Sequence, residues 1–118
     1  MNPYEKRIIY EKAIRYYGEE HQFAKATEEI GELLTEIGRY MAGERNLADL
    51  LGELADVKIM LEQVQLILGF SYEDVEDKVT YKLGRLEGRM EREDRTETLP
   101  LLRGKDGFGG RAWLRFTA

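Results

Sequence analysis

EEIGELL (residues 28–34) and ELADV (residues 53–57) decide the fold, because each stretch places paired carboxylates inside a long segment with helical periodicity. Glu29 and Glu32 are three residues apart, as are Glu53 and Asp56. Residues at this spacing lie on one side of a helix. Two such pairs on neighbouring helices would gather carboxylates around one volume, where they repel each other unless a cation lies between them. The pattern therefore predicts an oxygen-ligated metal site between two helices, with Mg2+ as the expected ion.

The composition restricts the chemistry that this site can use. The chain has 118 residues, enough for one domain, and 35% of them are charged. It contains no cysteine, which excludes disulfides, thiolate zinc sites and cysteine nucleophiles. Its single histidine, His21, excludes a multi-histidine metal site within one chain. Oxygen ligands remain, and these suit Mg2+, with Mn2+ as the alternative.

The charge and the hydropathy pattern indicate where the protein acts. A net charge of −5 argues against nonspecific binding to nucleic acid. The N-terminus lacks the apolar run of a signal peptide, and no segment approaches the length needed to span a membrane. We therefore expect a cytoplasmic protein with no nucleic-acid or membrane partner.

Capping residues and apolar periodicity predict an all-α chain of four helices and a tail. Asn2 and Pro3 open the first helix, which Gly18 closes. The second runs from about His21 to Ala42, and the third from Asn46 to about Leu68, where Gly69 ends it. Ser71 begins the fourth, which reaches roughly Glu93. Residues 1–95 are thus predicted to form one helical domain, and residues 96–118 a Gly-rich, basic and aromatic tail that is flexible or partner-dependent.

Two further patterns concern the central helices. The second has an apolar stripe of Phe23, Ala26, Ile30, Leu33, Leu34, Ile37 and Met41. On the third, Glu53 and Asp56 lie on a line that Met60 and Ile67 continue, so another helix or subunit should cover that line. Small residues form a seam on each helix, and Gly31 and Gly52 directly precede two acids of the motifs. Glycine is costly inside a helix, so the seams predict close helix packing that brings the motifs together.

The two motifs and their spacing resemble the MazG-like superfamily of all-α nucleoside triphosphate pyrophosphohydrolases, whose hallmark is E-x-x-E, a variable spacer and E-x-x-D. The resemblance covers roughly residues 10 to 90. It implies an oligomeric four-helix bundle, a homodimer or homotetramer, that converts a nucleoside triphosphate to the monophosphate and pyrophosphate. Such an enzyme would sanitise the nucleotide pool or control one deoxynucleotide.

The resemblance also implies roles for individual residues. Mg2+ would be bound by Glu29, Glu32, Glu53 and Asp56. Glu28 or Glu32 would orient or deprotonate the attacking water, and the sequence does not choose between them. On the fourth helix, one side carries Lys78, Lys82 and Arg85, which would meet the phosphates, and Tyr81 would stack on a base. Gln22 would read a base edge by hydrogen bonds.

Each signal also has a simpler explanation. The acidic pairs would otherwise form a solvated helix face, and the basic residues of the fourth helix an exposed surface. Two other functions compete with the first. One is a noncatalytic helical assembly or regulatory protein, and the other is an enzyme of the phosphoribosyl-ATP pyrophosphatase branch of the same superfamily.

Overall fold

The computed structural model describes residues 1–95, and these are helical with no β-strand. Four α-helices follow one another: α1 (Pro3–Tyr17), α2 (Glu19–Met41), α3 (Leu47–Leu68) and α4 (Tyr72–Arg95). The prediction of an all-α chain with four helices is confirmed over this range. The predicted tail, residues 96–118, lies outside the described residues.

The helix ends follow the capping residues of the sequence. The Asn2 side chain accepts a 2.8 Å hydrogen bond from the backbone N–H of Glu5, whose carboxylate in turn accepts one of 3.1 Å from the Asn2 N–H. Gly18 separates α1 from α2 with a positive φ of 92°, a conformation that favours glycine. Helix α2 begins at Glu19, two residues before its predicted start. Gly69 ends α3 in the left-handed conformation.

Contacts between residues divide the chain into two units. The first, Met1–Ser71, contains α1, α2 and α3, and the second begins at Tyr72 with α4. Within the first unit, α2 packs mainly against α3, and α1 packs against both. A hydrogen bond links Tyr10 of α1 to Glu62 of α3, and burial, this bond and the carboxylate charge raise the pKa of Tyr10 to about 12.

The contact between α2 and α3 is unusually polar. Its buried side chains include only three apolar ones, Ala26, Val57 and Met60, beside Gln22, Glu29, Glu36 and Gln63. Within this face the Gln22 amide donates a 2.7 Å hydrogen bond to the Gln63 side-chain oxygen. A buried pair of this kind favours one register of the two helices, because sliding them would leave both amides unsatisfied.

The apolar stripe of α2 is largely exposed. Ala26 is buried and Leu33 half-buried, whereas Phe23, Ile30, Leu34, Ile37 and Met41 are exposed. Helix α3 likewise exposes Leu47, Leu54, Leu61 and Leu68. Met60 is buried and Ile67 is half-buried, so α2 and α1 cover the line on α3 that these two residues continue. The pattern of this line predicted such a cover. Among the described residues, no helix is long and apolar enough to cross a membrane.

The small-residue seams do not join α2 to α3. A Cβ added at Gly31, Gly38 or Gly52 would have no atom of the chain within 4 Å, so the predicted close approach at these glycines is wrong within the chain. Helix geometry explains this result. At about 100° per residue, Gly31 lies roughly 200° around the helix from Glu29 and therefore faces away from α3.

Candidate metal centre

The packing of α2 on α3 brings the two acidic motifs together. Glu29, Glu53 and Asp56 each place one carboxylate oxygen within 4.8 Å of the other two. Glu29 is buried at 8% exposure, Glu53 is half-buried and Asp56 is exposed. The cluster therefore reaches from the helix–helix contact to the surface, where a second ligand such as a phosphate can approach.

Two oxygens of the cluster have no partner in the described chain. Glu29 Oε2 and Glu53 Oε2 are buried, and neither has a hydrogen-bond partner. An unpaired buried carboxylate oxygen is costly unless a donor or a cation satisfies it. Ligands of an octahedral Mg2+ lie about 3.0 Å apart when adjacent and about 4.2 Å apart when opposed, so the three acids would have to move closer together to share one ion. The residues therefore fit a hard divalent cation.

Glu32, the fourth predicted metal ligand, is exposed but interacts with the cluster. A hydrogen bond with Glu29, repulsion by the Glu29 charge and partial burial raise the pKa of Glu32, and repulsion by Glu53 adds to this. Burial and repulsion by Glu29 and Asp56 raise the pKa of Glu53, against a hydrogen bond from Glu32 that lowers it. Glu29, Glu53 and Asp56 thus meet, and Glu32 lies close enough for the charges of Glu29 and Glu53 to act on it.

Glu28, the other candidate for the residue that activates water, is exposed beside the cluster. Lys25 lies one turn before it, with Nζ 3.5 Å from Glu28 Oε1 and 3.4 Å from Glu29 Oε1. A hydrogen bond to Glu29 and the charges of both acids raise the pKa of Lys25. This lysine provides part of the positive charge that the cluster needs. Lys25 lies three residues before Glu28 and four before Glu29, so both ion pairs could have been predicted from the sequence.

The predicted substrate-binding residues lie in different places. Gln22 is 4% exposed, and its amide is bonded to Gln63 and, at 2.8 Å, to His21 Nδ1, so a base contact would require these bonds to break. Helix α4 carries the exposed residues Lys78, Tyr81, Lys82 and Arg85. Lys78 Nζ lies 5.6 Å from the centre of the Tyr81 ring, a distance suited to a cation–π contact.

Sequence reasoning missed the burial of Glu36 and the hydrogen bonds that the Asn46 side chain makes to it. Glu36 lies seven residues after Glu29, on the same face of α2, and is buried. Asn46 holds the N-cap position of α3 as predicted, but its side chain makes no capping bond and instead contacts Glu36. The seven-residue spacing is a signal that could have indicated Glu36. Nothing in the sequence indicates that Asn46 turns away from its own helix.

A separate cavity of about 280 Å3 lies where α1 faces the end of α3. Its lining includes Arg7, Arg15, Leu66 and Ile67, and none of the predicted site residues. Arg7 is already paired with Glu11 at 2.7 Å. This cavity therefore adds no group to the acidic cluster.

We compared the chain with models of known protein families, with curated proteins and with solved structures, and none of them matches. The similarity to the MazG-like superfamily therefore rests on the two acidic motifs and their spacing.

The raised pKa values give the metal-free protein an unusual pH dependence. A carboxyl group whose pKa is higher in the folded than in the unfolded state stabilises the fold most below the unfolded pKa, and this contribution is lost as pH rises through the folded pKa. For Glu32 and Glu53 we therefore expect the melting temperature in chelator to fall as pH rises from the ordinary glutamate range through their raised pKa values. Replacing Glu32 by Gln should flatten this slope in thermal denaturation followed by circular dichroism. A slope that stays unchanged in the variant would contradict the clustering.

Proposed function

We propose that the protein is a Mg2+-dependent nucleoside triphosphate pyrophosphohydrolase that converts a nucleoside or deoxynucleoside triphosphate to the monophosphate and pyrophosphate. The observation that carries the proposal is the meeting of Glu29, Glu53 and Asp56, with two buried carboxylate oxygens that lack a partner. The match of both motifs to the MazG-like pattern supports the choice of substrate.

The cluster is better suited to binding than to stability. Repulsion among its acids and the burial of Glu29 and Glu53 both cost folding free energy in the absence of a cation. A helix pair that served only as a scaffold would be more stable with apolar residues at these positions. This cost is the reason to prefer a metal-binding function over a solvated acidic face.

The residues of the chain have distinct roles in the proposed reaction. Glu29, Glu32, Glu53 and Asp56 hold Mg2+, which supplies charge neutralisation of the triphosphate and polarisation of its phosphoryl oxygens. Water adds across the anhydride bond between the α and β phosphates, and its proton is accepted by Glu28 or Glu32. The charges of Glu29 and Glu53 act on Glu32, whereas Glu28 is paired with Lys25. The proposal assigns the phosphate contacts to Lys78, Lys82 and Arg85. It assigns the base contacts to Gln22 and Tyr81.

We further propose that the chain acts as a homodimer or homotetramer built around the MazG-like four-helix bundle. The unit of α1 to α3 exposes large apolar side chains along both α2 and α3, while few apolar side chains are buried. Contiguous exposed apolar surface of this kind marks an interaction site. A second copy of the chain is the simplest cover for these faces, since oligomers of soluble proteins are mostly symmetric.

Incubation with each common ribo- and deoxynucleoside triphosphate tests the activity directly. With Mg2+ present, we expect equimolar monophosphate and pyrophosphate from the preferred substrate, resolved by ion-exchange chromatography, and no product in chelator. Release of diphosphate and inorganic phosphate would contradict the assigned bond. Absence of turnover would direct attention to phosphoribosyl-ATP, tested in the same assay, and then to a noncatalytic assembly.

A further inference from the structure

Asn46 makes an unusual contact for a residue at the start of a helix. Its Nδ2 donates two hydrogen bonds across to α2, one of 2.9 Å to the backbone oxygen of Glu36 and one of 2.8 Å to Glu36 Oε1. Its Oδ1 has no partner among the described residues. Because two acceptors face the Nδ2 atom, the orientation of the amide is fixed by this contact. Both of its donors therefore serve a single residue of the neighbouring helix.

Glu36 differs from the acids of the cluster in having both carboxylate oxygens occupied. Asn46 donates to Oε1, and Arg39 Nη1 donates to Oε2 at 3.2 Å. Glu29 and Glu53, in contrast, each keep a buried oxygen without a partner. Glu36 is 8% exposed and is paired with Arg39, although its charge also contributes, as the smallest of the causes, to the raised pKa of Glu53. Its arrangement suits a structural link and leaves no free oxygen for a metal ion.

The link and the acidic cluster lie on the same faces of the two helices. Glu36 follows Glu29 by seven residues on α2, and Glu53 follows Asn46 by seven residues on α3. Seven residues are about two turns, or roughly 10.5 Å along the axis, with almost no rotation. The contact of Asn46 with Glu36 therefore fixes the distance and rotation of the two helices close to the place where Glu29 meets Glu53.

Such a link counteracts a specific force. Glu29 and Glu53 repel each other, and separation of the helices would relieve this repulsion before any cation arrives. On the far side of the cluster, Gln22 and Gln63 join the same two helices by a second polar contact. The acids are thus held between two cross-helix contacts, of which the one made by Asn46 adjoins the loop between α2 and α3.

We propose that Asn46 is a positioning residue of the metal centre, whose bond to Glu36 holds Glu53 opposite Glu29 at a separation that suits a shared cation. The inference rests on the proposed metal-dependent function. Asn46 and Glu36 contact no metal in this assignment and act through the placement of α3 against α2. Loss of a partner hydrogen-bonded directly to a ligand typically weakens metal binding by about 10- to 100-fold, and because Asn46 acts through the placement of α3, we expect an effect at the lower end of this range.

Asn46→Ser tests the inference with little risk to the fold. Serine is too short to reach Glu36. It is, however, a favoured N-cap residue, and its hydroxyl can accept a hydrogen bond from a backbone N–H in the first turn of α3, which the Asn46 side chain does not do. Titration of the full chain with Mn2+, followed by the loss of the free-ion signal in electron paramagnetic resonance, measures the affinity of the centre. We expect binding about tenfold weaker than in the unsubstituted protein. Helicity should be unchanged, while the melting temperature in chelator should fall modestly, because the buried Glu36 Oε1 loses its donor.

Two variants of Glu36 separate positioning from ligation. Glu36→Gln keeps an oxygen acceptor for Asn46, so its Mn2+ affinity should fall clearly less than that of Asn46→Ser, and any small loss reflects the negative charge that Glu36 contributes near Glu53. Glu36→Ala removes the side-chain acceptor, and it should reproduce the loss seen with Asn46→Ser even if the serine variant folds poorly. A loss in Glu36→Gln as large as that in Glu53→Gln would overturn the inference, because Glu36 would then be a ligand.

The remaining outcomes distinguish this inference from the proposed function. Unchanged Mn2+ affinity in Asn46→Ser, together with loss of binding in Glu53→Gln, would refute the positioning role and leave the metal centre intact. A melting temperature that falls in chelator without any change in Mn2+ affinity would also refute it, because the link would then be merely structural. Failure of the unsubstituted protein to bind Mn2+ would overturn both.

Discussion

Glu53→Gln should reduce turnover of the preferred nucleoside triphosphate by about three orders of magnitude. The substitution preserves the shape of the side chain but removes its charge and replaces one potential ligand oxygen by an amide nitrogen. A metal ion contributes several kcal/mol to the stabilisation of transition-state charge, and each loss of about 1.4 kcal/mol reduces the rate tenfold. Initial rates of pyrophosphate release at saturating Mg2+ would measure the effect.

The same variant should be at least as stable as the unsubstituted protein when no metal is present. Burial of Glu53 and repulsion by Glu29 and Asp56 oppose its charged form, and glutamine removes both costs. Mg2+ should raise the melting temperature of the unsubstituted protein, since a ligand that binds only the folded state stabilises it, and this rise should disappear in the variant. Loss of activity without loss of stability would assign Glu53 to function.

Asp49→Asn provides the matched control. Asp49 lies on α3 one turn before Glu53, is exposed, and loses the same unit of charge in the substitution. It is not part of the cluster of Glu29, Glu53 and Asp56. Its turnover and Mg2+ response should therefore remain near those of the unsubstituted protein. Equal losses in both variants would show that net charge matters rather than the cluster, and full activity of Glu53→Gln would refute the metal centre.

The acidic cluster was predictable because it depends on local geometry. The three-residue spacing within each motif fixes the side of the helix on which Glu29, Glu32, Glu53 and Asp56 lie, and a short connection requires α2 and α3 to be antiparallel neighbours. Helix ends were equally predictable, since the Asn2 side chain bonds to a residue three positions away, and Gly18 and Gly69 act through their own backbone conformation. These features require no knowledge of distant contacts.

The features that sequence reasoning missed depend on which helix faces meet. Apolar periodicity on α2 indicated a face to be covered, but α3 instead covers the face of Gln22, Glu29 and Glu36. The glycine seam failed for the same reason, because Gly31 lies nearly opposite Glu29. The Asn46 side chain could cap α3 or reach Glu36, and the choice depends on the path of the loop after Gly43. Tertiary packing decides each case.

Leu34→Lys should convert the proposed oligomer to monomers. Leu34 is 64% exposed and belongs to the apolar stripe of α2, so a lysine there remains solvated in an isolated chain and costs it little. At a contact between copies, the same lysine would be buried without a partner. Loss of a hot-spot residue at the centre of an interface costs about 2 kcal/mol or more, and if Leu34 is such a residue, the dissociation constant should rise by about 30-fold or more.

Sedimentation velocity on the full chain would measure this change, with Thr35→Lys as the control. Thr35 is the next residue of α2 and is also exposed, but it lies about 100° around the helix from Leu34 and outside the apolar stripe. The control should sediment like the unsubstituted protein, while Leu34→Lys moves to the mass of one chain. A monomeric unsubstituted protein would refute the oligomer. If Leu34→Lys remains assembled, the copies meet through another surface, and the exposed leucines of α3 become the next positions to test.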